Sequence, residues 1–359
     1  MIRQRGLLIG LDRLVGSALV RLLSRGTKPA AKKPAPTIYR VLIIRPGGMG
    51  DAILMIPMLR ALKERFPRAS VQILAERRNA DVFGLIPDLV SGLFCYDRVM
   101  DLLRVLTGRY DVVMDTEQWY RLSAVAARLI RADIRCGFST NTRGSLFNLP
   151  VAHDPERYEA ENFLALLSAL TDAPIPFNPE RPFLTIPADP SPGLRVIMAP
   201  GASYPEKQWG PEKFRQLATG FLEQGYSVGL IGGPADVGQA AEVIQGLPVE
   251  NFTGRTTLRE TARVIGAAGL VIGGDSVALH LAAALGRPSI ALFGPTSPHQ
   301  WAPRGKNHRT LYHPPHCSPC SRFGNIPPCP YDVECLNRIS VEEVQAAARQ
   351  IMMTEAPGK

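Results

Sequence analysis

Residues 40–67 read RVLIIRPGGMGDAILMIPMLRALKERFP, and the order of residue types in this stretch decides the fold. Arg40 to Arg45 is a short apolar run, the pattern of a strand buried on both faces. Pro46-Gly47-Gly48-Met49-Gly50-Asp51 interrupts it with a glycine-rich turn, and a helical segment follows from about Ala52 to Arg65. Strand, glycine turn and helix in succession open a βαβ unit. Further strand patterns lie near Val71–Glu76, Leu93–Tyr96 and Val112–Asp115, so this half of the chain predicts a parallel sheet with helices between its strands.

The same grammar restarts later. Arg195 to Met198 repeats the pattern of residues 40–43, and Pro200-Gly201 repeats Pro46-Gly47. Strand runs follow at Val228–Ile231, Leu270–Ile272 and Ser289–Phe293. Between the halves, residues 172–193 hold prolines at 174, 176, 179, 182, 187, 190 and 192. Proline removes backbone donors and pushes its predecessor out of helix, so this stretch reads as a linker. The predicted architecture is α/β, with two Rossmann-like doubly wound domains facing across a cleft and a basic amphipathic extension ahead of them. The expected divisions are 1–39 for the helix and its Pro/Ala linker, 40–172 for the first domain and 173–194 for the linker. Residues 195–338 form the second domain, and 339–359 a C-terminal helix and tail.

Composition narrows the function classes. The chain is 45% hydrophobic and 20% charged, as in globular proteins, and carries a net charge of +9. Residues 1–40 hold nine of the 41 Lys and Arg but one acid, Asp12. The rest of the chain is nearly balanced, so the basic character belongs to a tail. No nucleic-acid module or aromatic–basic stripe is present, and nucleic acid is not an expected partner. No apolar run reaches the roughly 18 residues of a membrane span. Within the tail, Leu7, Leu11, Leu14, Val15, Ala18 and Leu22 share one helical face, opposite Arg13, Ser17 and Ser24. The charges at Asp12, Arg13 and Arg21 and the lack of a clean cleavage site argue against a secretion signal. The helix is either an interfacial one, its arginines drawn to anionic headgroups, or one packed on the body or extended from it.

Three strand-to-helix turns have the residues to hold a phosphate. The first is Gly47, Gly48 and Gly50 with Asp51, where helix N–H groups and the helix dipole would face an anion. Asp51 could equally cap its helix. The turn is G-G-x-G and lacks the dinucleotide spacing, although Glu76 ends the second strand where a ribose-binding acid would lie. The second is PGASYPEKQW at 200–209, in which Gly201 opens the loop, Ser203 offers a hydroxyl and Lys207 a compact charge; a lysine there could also be merely solvated. The third is Gly273-Gly274-Asp275-Ser276-Val277, with His280 one turn into the helix and Pro295 and Thr296 closing the next strand. Asp275 and Ser276 are also good caps. Taken together, the three turns favour a nucleotide-diphosphate ligand.

Cys317, Cys320, Cys329 and Cys335 give C-x2-C-x8-C-x5-C. This spacing fits a structural zinc site, free packed thiols or, less readily in a reducing compartment, disulfides. Cys95 and Cys136 fall in strand-like runs and read as small core residues.

The ordered set of RVLIIRPGGMGDAILMIPMLRALKERFP, PGASYPEKQWGPEKF, LIGGPAD, GDSVALHLAAALGRPSIALFGPTSP and the Cys-rich end resembles glycosyltransferase family 9, the ADP-heptose:lipopolysaccharide heptosyltransferases. The resemblance spans roughly residues 40–350. It implies a GT-B fold and an inverting, metal-independent transfer with no required cofactor. It also implies an ADP-heptose-type donor, a lipopolysaccharide-type lipid acceptor, and a C-terminal helix near Val341–Met353 that returns to the first domain. Residue by residue, Asp51 matches the family's base, Ser203 and Lys207 its donor-phosphate contacts, and Asp275, Ser276 and His280 its D-[ST]-G-x-x-H segment. Val277 departs from that segment, standing where the family usually has Gly. A β-branched residue tolerates positive φ poorly and adds bulk beside the phosphates, so an altered donor pose is expected. Such an enzyme would work in the cytoplasm, peripheral on the inner face of the membrane. The alternatives are another nucleotide sugar as donor, or a degenerate homologue acting as a membrane-bound adaptor.

Overall fold

The computed structural model describes residues 10, 12–25, 38–187, 195–322 and 324–355. They fall into two compact units, divided between Phe177 and Asn178.

The first unit is built on strands β1 (Arg40–Arg45), β2 (Ser70–Ala75), β3 (Gly92–Cys95), β4 (Arg109–Asp115), β5 (Arg131–Phe138) and β6 (Leu149–Val151). Their order across the sheet is β3-β2-β1-β4-β5-β6, and all neighbours are parallel. The second unit has β7 (Arg195–Ala199), β8 (Ser227–Leu230), β9 (Glu250–Asn251), β10 (Leu270–Gly274), β11 (Ser289–Phe293) and β12 (His308–Tyr312). Its order is β12-β11-β10-β7-β8-β9, again all parallel. Counted from one edge, each sheet reverses strand order once at its centre, the doubly wound arrangement expected from the sequence. The central strands are buried along nearly their whole length because helices cover both faces. Strands β6, β9 and β12 escaped the sequence reading, and β5 was met only as a strand-like run around Cys136. They are short, or partly exposed with charged residues among the apolar ones, so no continuous apolar run marks them.

The helix expected from Ala52 to Arg65 is two helices, Met49–Leu54 and Ile56–Arg65, with Met55 between them. Pro57 at the start of the second has no N–H to continue the first. The earlier start at Met49 puts Asp51 inside the first turn.

The N-terminal helix packs differently from its sequence pattern. A π-helical turn, Asp12–Gly16, leads into Ser17–Leu23. Asp12, Gly16 and Val20 are buried, and Leu19 and Leu23 pack beside Val20 on the first unit's core. The apolar face read from the sequence stays outside: Leu14 is 76% and Leu22 66% exposed. Leu7 and Leu11 lie outside the described residues. The buried acid explains the reversal. Asp12 Oδ1 accepts from Arg121 N at 2.7 Å and Leu122 N at 2.9 Å, and Oδ2 lies 3.5 Å from Arg121 Nη1. Asp12 therefore satisfies the open N-terminus of the helix Arg121–Leu129, where its charge also meets the helix dipole. Gly16 permits the approach, since a Cβ there would lie 3.0 Å from Arg121 Cβ.

At the other ends, part of the proline-rich stretch is built onto the second unit: Phe183 N and Leu184 N both donate to Ala284 O. The C-terminal helix Val341–Glu355 also belongs there. Val341, Val344, Ala347, Ala348 and Ile351 enter the second core, where the expectation had this helix returning to the first domain.

One buried ion pair holds the loop that follows β4. Arg143 and Asp115 are both fully buried and bonded to each other, and the Arg143 guanidinium also donates to the Glu117 carbonyl. Arg143→Met would strand the Asp115 charge and should cost about 3–5 kcal/mol of stability in chemical denaturation. Adding Asp115→Leu should recover most of that loss, since it removes the stranded charge. A single variant as stable as the wild type would contradict this account.

Candidate functional site

In a doubly wound sheet the two strands at the reversal of strand order send their chains to opposite faces, leaving a crevice at their carboxyl ends. In the first unit that point lies between β1 and β4, and in the second between β7 and β10. All the candidate residues of the three turns lie after β1, β7, β10 or β11.

After β1, Gly47 takes φ +100°, and a Cβ there would lie 3.0 Å from Arg45 Nη2. The turn is pinned by Glu76, whose Oε2 accepts from Gly47 N at 3.2 Å, and by Asn79 Nδ2, which donates to the carbonyls of Arg45 and Gly47. Glu76, considered as a ribose ligand, is thus committed to the loop and to Arg78 at 2.8 Å. Gly48 caps the helix, Gly50 lies in its first turn, and Asp51 makes no cap bond. Instead Asp51 Oδ1 accepts from Gln118 Nε2 at 3.1 Å and lies 3.7 Å from Arg45 Nη2. Asp51 remains 22% exposed, so the carboxylate reaches solvent. Buried beside it, Glu117 receives Trp119 N and lies 3.7 Å from Arg45 Nη2. Burial pushes the Glu117 carboxyl up, partly offset by Arg45 and Arg143.

In the second unit Lys207 Nζ lies 2.7 Å from Asp275 Oδ2, with only 12% of the lysine side chain exposed. Lys207 is therefore no solvated surface lysine, and Asp275 no helix cap. His280 Nε2 lies 3.6 Å from Asp275 Oδ1. Burial alone would raise the Asp275 carboxyl; the Lys207 charge and the His280 hydrogen bond outweigh it and hold it well below the usual carboxylate range. Ser276 occupies the cap position of the helix Val277–Ala284 without using its hydroxyl as a cap. Ser276 Oγ, His280 Nδ1 and Thr296 Oγ1 are buried without a hydrogen-bond partner among the described residues. Buried polar groups without partners carry a free-energy cost, and two of these, on Ser276 and His280, belong to one helix start beside Asp275, as a place for a polar ligand would. Pro295 and Thr296 are buried at the end of β11, whereas Ser203 is exposed and joins none of these bonds. Trp209 is buried and donates from Nε1 to Ile339 O at 3.0 Å, which anchors the Pro200–Trp209 loop in the core.

Residues 99–329 match the family described as Glycosyltransferase family 9 (heptosyltransferase). The chain belongs to glycosyltransferase family 9. It is 27% identical over 308 residues to lipooligosaccharide heptosyltransferase 2 of Haemophilus influenzae, across 76% of this chain and 87% of that protein. Its fold is similar to a family 9 glycosyl transferase from Veillonella parvula, with a TM-score of 0.72 and 21% identity, covering 91% of this chain and 99% of that one. It is similar also to an Escherichia coli heptosyltransferase solved with ADP, at a TM-score of 0.71 and 20% identity, covering 87% and 99%.

Against the family's donor segment, Val277 proves harmless to the backbone. It is the first helical residue after Ser276 and is not among the residues with positive φ. The glycine that family 9 usually carries there is not required by this turn. Glycines matter at two neighbouring places. A Cβ on Gly201 would lie 2.1 Å from Asp236 Cγ, and one on Gly274 would lie 2.9 Å from Lys207 O.

The four C-terminal cysteines are free, with Cys335 buried. Among the described residues no group of three or more His, Cys, Asp or Glu is gathered to hold a metal ion. Cys335 is drawn into the core instead, its sulfur 2.9 Å from where a Cβ of Gly294 would lie. Burial pushes that thiol up to about 11. Arg45 and Gln118 flank Asp51, Glu159 bonds Gln118, and His153 bonds Glu159; all four were missed from sequence, where only the position of Gln118 just beyond a strand end hinted at them.

Gly201→Ala should cost about 1–3 kcal/mol, because the added methyl must displace the Asp236 carboxylate. Gly238→Ala, in an exposed helix position with nothing within 4 Å, should be neutral or stabilise by up to about 1 kcal/mol. Urea denaturation of the two variants compares them directly; equal effects would contradict the packing argument.

Proposed function

We propose that this enzyme transfers a heptose or related sugar from an ADP-linked donor to a lipopolysaccharide-core-type lipid acceptor, with inversion and without a required metal. The observation that carries the reading is the buried Lys207–Asp275 pair at the helix start that also bears the unpartnered Ser276 Oγ and His280 Nδ1. The relatives named as heptosyltransferases, and the similar structure solved with ADP, point the donor toward ADP-heptose.

In the proposed step the acceptor hydroxyl oxygen attacks the anomeric carbon from the face opposite the diphosphate. The bond from that carbon to the diphosphate oxygen breaks, and ADP leaves with the electron pair. Asp51 takes the hydroxyl proton as general base. Lys207 and the helix start at Ser276 stabilise the negative charge growing on the departing diphosphate. Asp275 holds the ammonium in place, and His280 supports Asp275 from the other oxygen.

Titration calorimetry with ADP, UDP and GDP tests the donor. ADP should bind selectively, and Lys207→Ala should weaken it roughly ten- to hundredfold, the worth of a charged hydrogen bond. Selective binding of UDP or GDP would move the donor, and no binding by any of them would favour a degenerate homologue. Asp51→Asn should keep its ADP affinity and lose turnover by about 10²–10⁴; unchanged turnover would remove Asp51 from the role.

The acceptor's lipid suggests work at the inner surface of the cytoplasmic membrane. No described helix is long and apolar enough to cross a bilayer. The support is the outward stripe of Leu14, Val15 and Leu22, flanked by the exposed Arg13 and Arg21. Apolar side chains beside arginines suit the boundary of an anionic leaflet. The protein should co-sediment with vesicles rich in anionic lipid and not with neutral ones. Leu14→Asp with Leu22→Asp should abolish this while leaving ADP affinity intact, and retained binding would contradict the surface proposed.

A further inference from the structure

We propose that Gln118 is the positioning residue for the base, with Glu159 and His153 holding it from behind; this rests on the reading of Asp51 as that base. Gln118 lies three residues beyond β4, on the far side of the switch point from Asp51. Its backbone is fixed on both sides. The Gln118 carbonyl accepts from Thr140 Oγ1, Trp119 O accepts from Asn141 Nδ2 at 2.8 Å, and the buried Glu117 Oε1 accepts from the amides of Trp119 and Tyr120.

The Gln118 side chain is held just as firmly. Its Nε2 lies 3.1 Å from Asp51 Oδ1 and 2.9 Å from Glu159 Oε1. A primary amide nitrogen has two N–H groups, so each serves one carboxylate. Turning the amide over would set its oxygen against two carboxylates, which fixes its orientation. Glu159 is fully buried at the start of the helix Glu159–Thr171. Its Oε2 lies 3.1 Å from His153 Nε2 and 3.2 Å from Asn162 Nδ2. The His153 ring stands edge-on to Phe138 at 4.9 Å between centroids. This chain of contacts runs from a packed interior to one oxygen of the base. With Oδ1 engaged by Gln118 and near Arg45, Oδ2 is the oxygen left for the acceptor hydroxyl. A Cβ on Gly48 would sit 3.0 Å from Oδ2, so glycine keeps that side open.

A carboxylate held in one orientation meets its substrate in a reactive geometry more often than a rotating one, and misplacement by about 1 Å can cost roughly a hundredfold in rate. Gln118→Leu should lower kcat by about ten- to hundredfold while donor KM and ADP affinity stay within about twofold of wild type. In an Asp51→Asn background the same change should alter kcat by less than about twofold, because Gln118 acts through Asp51. Glu159→Gln should show a smaller loss that also vanishes in that background. Losses that add in the double variant would overturn the proposal, as would wild-type kcat in Gln118→Leu. Should Gln118→Leu not fold, Gln118→Met keeps the length, is uncharged, offers no N–H, and is read in the same way. Full turnover by Asp51→Asn alone would remove the base itself, and that outcome is distinct from additive losses.

Discussion

Everything chemical in this molecule depends on the reversal of strand order in each sheet. At β1 and β4, and again at β7 and β10, neighbouring parallel strands hand their chains to opposite faces. The carboxyl ends are left uncovered there, and side chains from the two loops can meet across the gap. In the first unit the meeting is Asp51 with Gln118; in the second it is Lys207 with Asp275. The two units repeat one topology and put one pair at the same place in it, with opposite chemistry.

That difference suits the two halves of a sugar transfer. A lysine that stabilises a leaving diphosphate needs its charge fixed in position, and a buried carboxylate at 2.7 Å does this. The carboxylate needs a second support, and His280 supplies it on the other oxygen. Asp51, as the proposed base, has to be aimed at a hydroxyl, and there a neutral amide supplies the close contact while the Arg45 guanidinium stands farther off at 3.7 Å. An amide orients a carboxylate by a hydrogen bond without closing an ion pair over it.

How far the sequence could be read follows from how local each feature is. The buried central strands and the glycine turns after them are written in consecutive residues, so the doubly wound fold and the positions of Asp51, Lys207, Asp275 and His280 were legible. Gln118 reaches Asp51 across 67 residues and Glu159 reaches Gln118 across 41, with no periodicity to connect them. Arg45 closed a run read as a buried strand, and no local pattern told that its guanidinium lies 3.7 Å from Asp51. For Val277 the concern over positive φ does not apply, since the structure gives it ordinary helical backbone; its bulk beside the phosphates remains. The cysteine spacing left zinc, packed free thiols and disulfides open, and the structure has four free thiols with Cys335 in the core.

The N-terminal helix shows why apolar residues recurring at helical spacing do not by themselves name a buried face. Periodicity placed Leu14, Val15, Ala18 and Leu22 together, and burial of that face would be the ordinary inference. One buried carboxylate decides otherwise. Asp12 must be satisfied once it leaves water, and the open amides of Arg121 and Leu122 satisfy it. Turning the leucine face inward would expose Asp12 and uncap the helix Arg121–Leu129, giving up charge-assisted bonds for apolar area that Val20, Leu19 and Leu23 already supply. The acid therefore sets the rotation of the helix, and the leucines are left outward beside arginines. The outward Leu14, Val15 and Leu22 beside Arg13 and Arg21 make up the surface proposed above for an anionic leaflet.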